Sequence, residues 1–145
     1  LDGKDVGETI RTPEVSMAAS AVSALPPVRE YLLNTQRDMA RKNSVIMDGR
    51  DIGTCVLPNA DLKIYLTASV DARAKRRYDE YIAKGMECDL EDIRKEIAER
   101  DYRDMNREEA PLKQADDAVL LDSSDMGIVE VIGAMMDLYN NKAKN

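Results

Sequence analysis

The stretch LKIYLTASVDARAKRRYDEYIAKG, Leu62 to Gly85, decides the fold class of this chain. Its first eight residues, Leu62 to Ser69, include isoleucine, tyrosine and threonine, which favour a short strand. The segment after it, about Val70 to Lys84, predicts a long basic helix that ends at Gly85, a residue typical of helix C-termini. A strand that leads directly into a helix predicts a βαβ unit and therefore a parallel sheet.

The alternation of strands and helices extends in both directions from this stretch. AVLLDS, Ala118 to Ser123, predicts a further strand, and the segment from Ile128 to about Asn141 predicts a last helix with apolar residues at helical spacing. SVIMD, Ser44 to Asp48, is an apolar run that ends in a carboxylate, as a buried parallel strand does at the carboxyl edge of a sheet. We therefore expect an α/β core over residues 44–145, with a mostly parallel sheet flanked by helices.

Two helices are predicted before this core. The first is expected from about Pro13 to Ala24, with Thr12 as its cap and Pro26-Pro27 as its end. The second is expected from about Val28 to Lys42. Because both precede the first predicted strand, residues 1–43 are expected to form a separate helical lobe inserted before the core.

The composition restricts the possible functions. The chain has 145 residues and a formal net charge of −7, which argues against a binder of nucleic acid or of an anionic membrane. It has no histidine, which excludes His-dependent triads, dyads and zinc sites. Its two cysteines, Cys55 and Cys88, form no metal-type or redox-type pair, so a cytoplasmic protein is expected. Phosphoryl transfer fits the remaining carboxylates, arginines and lysines.

A charged segment, ERDYRDMNR from Glu99 to Arg107, is the first candidate site. Arg100, Asp104 and Arg107 stand at i, i+4 and i+7, on one predicted stripe of a helix that Asp89 caps. Guanidinium groups bind phosphate oxygens bidentately, and Asp104 can accept hydrogen bonds from sugar hydroxyls. The alternative is a solvated helix face with ion pairs four residues apart.

The turn DGRDIGT, Asp48 to Thr54, is the second candidate. Asp48 can face the water shell of a magnesium ion, and Arg50 and Asp51 project from the turn that Gly49 permits. The alternative is a strand-to-loop turn with a local ion pair.

Two helical segments are the remaining candidates. DARAKRRYDEY, Asp71 to Tyr81, is either a solvated basic face or a mobile lid whose arginines cover a phosphate chain. SMAASAVSALPPVRE, Ser16 to Glu30, offers Ser20 and Arg29 beside small residues that a flat ligand can approach. Ordinary helix packing is the alternative for this second segment.

Together these segments resemble the bacterial cytidylate kinase family. The resemblance rests on VIMDGRDIGTCVLPNADLKIYLTAS, DARAKRRYDEY, EIAERDYRDMNREEAPLKQADDAVLLDSS and RTPEVSMAASAVSALPPVREYL, which cover nearly the whole chain. It implies the fold of P-loop nucleoside monophosphate kinases. In that fold, residues 1–43 would be part of the monophosphate-binding lobe and about 70–107 would be the lid.

The resemblance also implies transfer of the ATP γ-phosphoryl group to CMP or dCMP, with Mg²⁺. The residues it implies for the substrates are charged or hydroxylic, and they would bind the cytosine (Ser20, Arg29, Asp51), the sugar (Arg100, Asp104), the monophosphate (Arg50, Arg107) and the ATP phosphates (Arg76). Arg76, Arg107 and Asp48 would serve the transfer itself.

One part of the family's pattern is missing from the sequence. The family begins with a strand and a G-x-x-x-x-G-K loop that holds the ATP phosphates, and these 145 residues contain no such loop. We therefore expect a truncated form without kinase activity of its own, with an exposed apolar edge at Val45, Ile46, Ile64 and Leu66. The alternatives are a non-catalytic nucleotide-binding module and a helical interaction protein without a ligand.

Overall fold

The structure, a computed structural model, describes residues 2–7, 9–23 and 25–144. The chain divides into two compact units, Leu1–Met47 and Asp48–Asn145. The sequence placed its division at residues 43 and 44, four residues earlier. No helix in the described part of the chain is both long enough and apolar enough to cross a membrane.

The first unit is helical. A 3-10 turn at Thr9–Arg11 precedes helix α1, Pro13–Ser23, and helix α2 spans Pro26–Lys42. Thr12 caps α1 as predicted, because its Oγ1 accepts a hydrogen bond from the Val15 amide at 3.4 Å. The two prolines begin α2 rather than only ending α1, since proline suits a first helical turn, where an amide N–H has no partner. Ala24, the predicted last residue of the first helix, lies outside the described residues.

The second unit contains the sheet. Strand β1, Ile64–Thr67, pairs in parallel with strand β2, Val119–Asp122, and Ile64 faces Val119 in the register. The helices follow these strands in the predicted chain order. Helix α3 (Val70–Ala83) comes after β1, helix α4 (Leu90–Asn106) comes next, and helix α5 (Ile128–Ala143) comes after β2. The α/β class and the parallel direction are therefore confirmed, with a sheet of two strands among the described residues.

Helices α3 and α4 pack against each other around a small apolar core. Ala74 of α3 is buried against Ile93 and Ile97 of α4. Gly85, with φ +71°, adopts the left-handed conformation just after α3, and Asp89 caps α4 by accepting hydrogen bonds from two backbone amides. Both helix ends were predicted from these residues, and the resulting hairpin carries two of the candidate segments.

The predicted strand at Ser44–Asp48 is wrong. This segment is not in a strand, and no backbone in the described ranges pairs with it. A strand needs a neighbour that accepts and donates its ladder hydrogen bonds, so an apolar pattern alone does not make one. The apolar side chains here are accordingly exposed: 39% of Val45 and 103% of Ile46. Leu66 of β1 is also exposed as expected, whereas Ile64 is half-buried.

Candidate functional site

The second unit has a cavity of about 380 Å³ alongside β1 and its carboxyl end. The turn after Asp48, strand β1, and parts of α3 and α4 form its walls. Its charged lining has more cations than anions, namely Arg50, Lys63, Arg73, Arg76 and Lys113 against Asp48 and Asp101. Ligands of α/β sheets bind beyond the carboxyl ends of the strands, and a cationic lining suits an anion.

Asp104, on α4, is a buried carboxylate between two arginines. Only 8% of the residue is exposed. Arg50 Nε donates to its Oδ2 at 2.9 Å, and Arg100 Nε lies 3.9 Å from the same oxygen. Burial lowers the pKa of Arg100, the nearby Arg50 lowers it further, and Asp104 acts in the opposite direction. Two guanidinium groups therefore share one carboxylate, which leaves positive charge that an anion can neutralise.

The turn that carries Arg50 requires a glycine before it. A Cβ on Gly49 would lie 2.7 Å from Cγ1 of Ile52, which is closer than real Cβ atoms approach. A single π-helical turn follows at Ile52–Val56, in which the Val56 amide donates to the Asp51 carbonyl at 3.2 Å and the Leu57 amide donates to the Ile52 carbonyl at 2.7 Å. Such turns often occur at functional sites, and this one fixes the backbone on which Arg50 and Asp51 stand.

Arg76, on α3, reaches the end of β2. Its guanidinium donates to the carbonyl oxygens of Ser123 and Met126, the latter at 3.1 Å, and lies 3.5 Å from the Ser123 hydroxyl. Both Arg76 and Ser123 line the cavity. Arg76 therefore lies at the carboxyl edge of the sheet. Its guanidinium N–H groups, which a phosphate would use, donate to backbone carbonyl oxygens there.

Arg107, the third residue of the predicted stripe, lies at the C-terminal end of α4. Helix α4 ends at Asn106, and Arg107 has the extended backbone of a residue just beyond a helix. Its Nε and one terminal nitrogen donate to the Ala110 carbonyl at 2.8 and 2.6 Å. The chain turns back here, because the Leu112 amide donates to the Asp104 carbonyl at 2.7 Å. Arg100 and Asp104 share one helix face, and the place of Arg107 beside them stays a prediction.

The other predicted substrate residues are divided between the units. Ser20 lies on α1 and is exposed, and Arg29 lies in the first turn of α2 and is half-buried. Asp51, half-buried, belongs to the second unit with Arg50 and Asp104. The structure thus brings Arg50, Arg100 and Asp104 together, and the joint role of Ser20, Arg29 and Asp51 stays a prediction.

Asp48 is a candidate ligand for a magnesium ion whose other ligands are substrate phosphates and water. Its side chain is exposed at the cavity wall. In the described part of the chain, no group of three or more acidic or thiol side chains could hold a metal ion alone. Mg²⁺ in phosphoryl-transfer sites is usually held by one or two protein carboxylates, so a magnesium role for Asp48 stays a prediction.

Sequence reasoning missed Asp101. Arg73 donates to its two carboxylate oxygens at 2.9 and 2.6 Å, although the two residues are 28 positions apart. Spacing along one helix cannot reveal this pair, because it depends on how α3 packs on α4. The sequence offered one signal, the position of Asp101 inside the arginine-rich segment. That position is as compatible with an ion pair to an arginine as with an exposed surface charge.

Comparisons with known proteins identify relatives of this chain. The family model described as cytidylate kinase matches residues 1–141. Curated cytidylate kinases of Streptococcus pneumoniae strains Hungary19A-6, 70585 and D39 are each 56% identical to the chain over 128 residues, which is 88% of this chain and 57% of the relative. The chain thus spans a little over half the length of these relatives. It belongs to the cytidylate kinase family.

Proposed function

We propose that the protein containing this sequence is a cytoplasmic CMP kinase, which transfers the γ-phosphoryl group of ATP to CMP or dCMP. The observation that carries the proposal is the buried Asp104 carboxylate shared by Arg50 and Arg100. It supplies acceptors for a sugar and cations for a phosphate within one small volume. Membership of the cytidylate kinase family supports the choice of substrate.

Asp104 and Arg100 are assigned to the sugar. A carboxylate accepts hydrogen bonds from hydroxyl groups, and such charge-assisted bonds are stronger than neutral ones. A sugar hydroxyl can therefore bind at the oxygen lone pairs that Arg50 and Arg100 leave unused.

Arg50 and Arg107 are assigned to the monophosphate. Each is now bonded within the chain, Arg50 to Asp104 and Arg107 to the Ala110 carbonyl. A phosphate offers more acceptor oxygens and more negative charge than either the Asp104 carboxylate or the Ala110 carbonyl, so it can replace both partners. On this proposal the internal bonds hold the guanidinium groups near their working positions before the nucleotide binds.

Ser20, Arg29 and Asp51 are assigned to the cytosine. A carboxylate can accept from the exocyclic amine, while an arginine and a hydroxyl can donate to the ring nitrogen and the carbonyl. This donor and acceptor pattern distinguishes cytosine from uracil, which carries a carbonyl in place of the amine.

Arg76 is assigned to the ATP phosphates and Asp48 to Mg²⁺. The bound ion would neutralise charge on the phosphates, and Arg76 would stabilise the charge on the transferred group. Since this reaction depends mainly on positioning and electrostatics, no side chain is assigned as a general base.

The absence of G-x-x-x-x-G-K from these 145 residues favours a narrower role for this polypeptide on its own. It would bind CMP without transferring phosphate, because the loop amides and lysine that hold ATP are not in it. This is the second candidate function, a non-catalytic nucleotide-binding module.

A coupled kinase assay on the natural protein that contains this sequence tests the proposal. CMP and dCMP should be phosphorylated at least about a hundredfold more efficiently than UMP or AMP, as expected when buried polar groups are matched to one base. Asp104→Asn should lower kcat/KM for CMP, whereas Asp92→Asn, an exposed carboxylate on the same helix, should not. Equal activity toward all four monophosphates, or no activity, would contradict the proposal.

A further inference from the structure

Arg73 forms a three-bond clamp at the start of α3. Its Nε donates to the Ala68 carbonyl at 2.9 Å, directly after strand β1. Its two terminal nitrogens donate to the two oxygens of Asp101 on α4 at 2.9 and 2.6 Å. Every nitrogen of the guanidinium is therefore engaged, and the bidentate geometry fixes its plane. These bonds tie β1, α3 and α4 together at one point.

A second ion pair joins the same two helices and provides a comparison. Asp71 of α3 pairs with Arg94 of α4 at 2.7 Å, but their side chains are 71% and 48% exposed. The side chains of Arg73 and Asp101 are 35% and 21% exposed, and both line the cavity. Exposed ion pairs contribute little, whereas a partly buried bidentate pair restricts geometry more strongly.

The two clamp residues are close in sequence to the candidate groups for the two substrates. Arg73 precedes Arg76 by one helical turn on α3. On α4, Asp101 directly follows Arg100 and precedes Asp104 by one turn. We therefore expect a change in how Arg73 meets Asp101 to shift the ATP-phosphate candidate relative to the sugar candidates.

We propose that Arg73 and Asp101 are a positioning pair, which sets the separation of Arg76 from Arg100 and Asp104 without contacting either nucleotide. The inference rests on the proposed CMP kinase function. Mutual engagement supports a positioning role over a ligand role, because Asp101 satisfies both terminal nitrogens of Arg73 and neutralises its charge. The hydrogen bonds that Arg73 donates to Asp101 also raise the pKa of Arg73, as expected for a tight pair.

The test compares Asp101→Asn and Arg73→Lys with Asp71→Asn in the natural protein containing this sequence. Asp101→Asn removes the charge and one of the two acceptor oxygens, while Arg73→Lys keeps the charge but loses the planar fork. Both should lower kcat by about tenfold to a hundredfold, the range expected from a small misplacement of reacting groups. The dissociation constant of CMP, measured by calorimetry, should change less than about twofold, since the Asp104 site remains intact. Asp71→Asn should change neither quantity.

Three results would overturn the inference. A lower KM for ATP in Asp101→Asn would mean that the released Arg73 binds phosphate itself. A normal kcat in Arg73→Lys would mean that charge alone is needed. Equal effects of Asp101→Asn and Asp71→Asn on kcat and on the melting temperature would mean that the pair only stabilises the fold. Misfolding of Asp101→Asn would not prevent the test, because Arg73→Lys is measured independently. Failure of the unsubstituted protein to phosphorylate CMP would instead contradict the proposed function.

Discussion

Asp104 concentrates the chemistry of the candidate site in one side chain. Its carboxylate is buried, and a buried charge is stable only when it is paired and hydrogen-bonded. Arg50 provides that pairing from a segment 54 positions away in the sequence. A nucleotide that binds here has to share this carboxylate with Arg50 or displace the arginine. On the proposed assignment, the sugar and the phosphate would bind to groups that already interact with each other.

Replacing Asp104 with alanine should weaken CMP binding by about tenfold to a hundredfold, because hydrogen bonds to a charged group contribute about 1.5–3 kcal/mol. The loss should depend on the sugar. The unsubstituted protein should bind CMP more tightly than 2′,3′-dideoxy-CMP, and the Asp104→Ala variant should bind both alike. Isothermal titration calorimetry measures all four affinities.

Asp92→Asn is the matched control for that experiment, because Asp92 is an exposed carboxylate on the same helix. It should retain the preference for CMP over the dideoxy analogue. A preference that survives in Asp104→Ala would show that another group reads the sugar and would contradict the assignment.

Replacing Arg29 with methionine should relax the choice of base more than it weakens the phosphate contacts. Methionine keeps most of the length of the side chain but offers no donor to the cytosine ring. The ratio of kcat/KM values for CMP and UMP should fall by about tenfold or more, as expected when a base-specific hydrogen bond is lost. A uniform loss of activity toward both nucleotides, with the ratio unchanged, would contradict this role.

At the scale of elements, local signals predicted helices well and strand pairing less well. The caps at Thr12 and Asp89 and the left-handed Gly85 act within a few residues of themselves, so the sequence alone shows them. The run at residues 44–48 has the apolar character of a strand but no described neighbour to pair with. Strand formation depends on such distant partners, which a single-segment pattern does not contain.

The candidate site shows the same division between local and distant information. Arg100 and Asp104 are four residues apart on one helix, so periodicity correctly placed them together. Arg107 directly follows α4 and donates to the Ala110 carbonyl, so its role beside Arg100 and Asp104 stays a prediction. The pairs Arg50–Asp104 and Arg73–Asp101 join segments far apart in sequence and became visible only in the folded chain.

Two aspartates at the ends of β2 make the stability of this element depend on pH. Asp117 accepts a hydrogen bond from Lys63 at 2.8 Å, and Asp122 accepts from the amide and hydroxyl of Ser124 at 2.9 and 2.6 Å. These bonds lower the pKa of both carboxyl groups below the usual 3.8. Each contribution is therefore complete above the pKa of the unfolded chain and is lost as the pH falls through the lower folded pKa.

We expect the free energy of unfolding to decrease below about pH 4, and to decrease less steeply in the double variant Asp117→Asn, Asp122→Asn. Urea denaturation between about pH 3 and pH 7 provides the measurement. The double variant Asp79→Asn, Asp92→Asn, which also removes two exposed carboxylates, is the control for the loss of charge. If the double variant kept the full pH dependence of the unsubstituted protein, these two carboxylates would not be its source.

At the scale of the whole molecule, a net charge of −7 coexists with a cavity whose charged lining residues are mostly cations. General attraction to polyanions is therefore weak, and only a small anion that reaches the arginines is attracted strongly. This distribution suits a nucleotide enzyme.

A polypeptide limited to these 145 residues should bind CMP but show no measurable transfer from ATP. It lacks a G-x-x-x-x-G-K loop, and positioning of the ATP phosphates is the main requirement of the reaction. A coupled assay and a CMP titration on the same preparation give the two results. Normal turnover by this polypeptide would show that the remaining arginines suffice to hold ATP.

A crystal structure of the natural protein with CMP bound tests most directly whether Arg50, Arg100 and Asp104 form a pyrimidine nucleotide site. We predict a ribose hydroxyl within about 3 Å of the Asp104 carboxylate, with Arg50 bonded to the phosphate. A nucleotide bound away from Asp104, with the Arg50–Asp104 ion pair unchanged, would contradict the assignment.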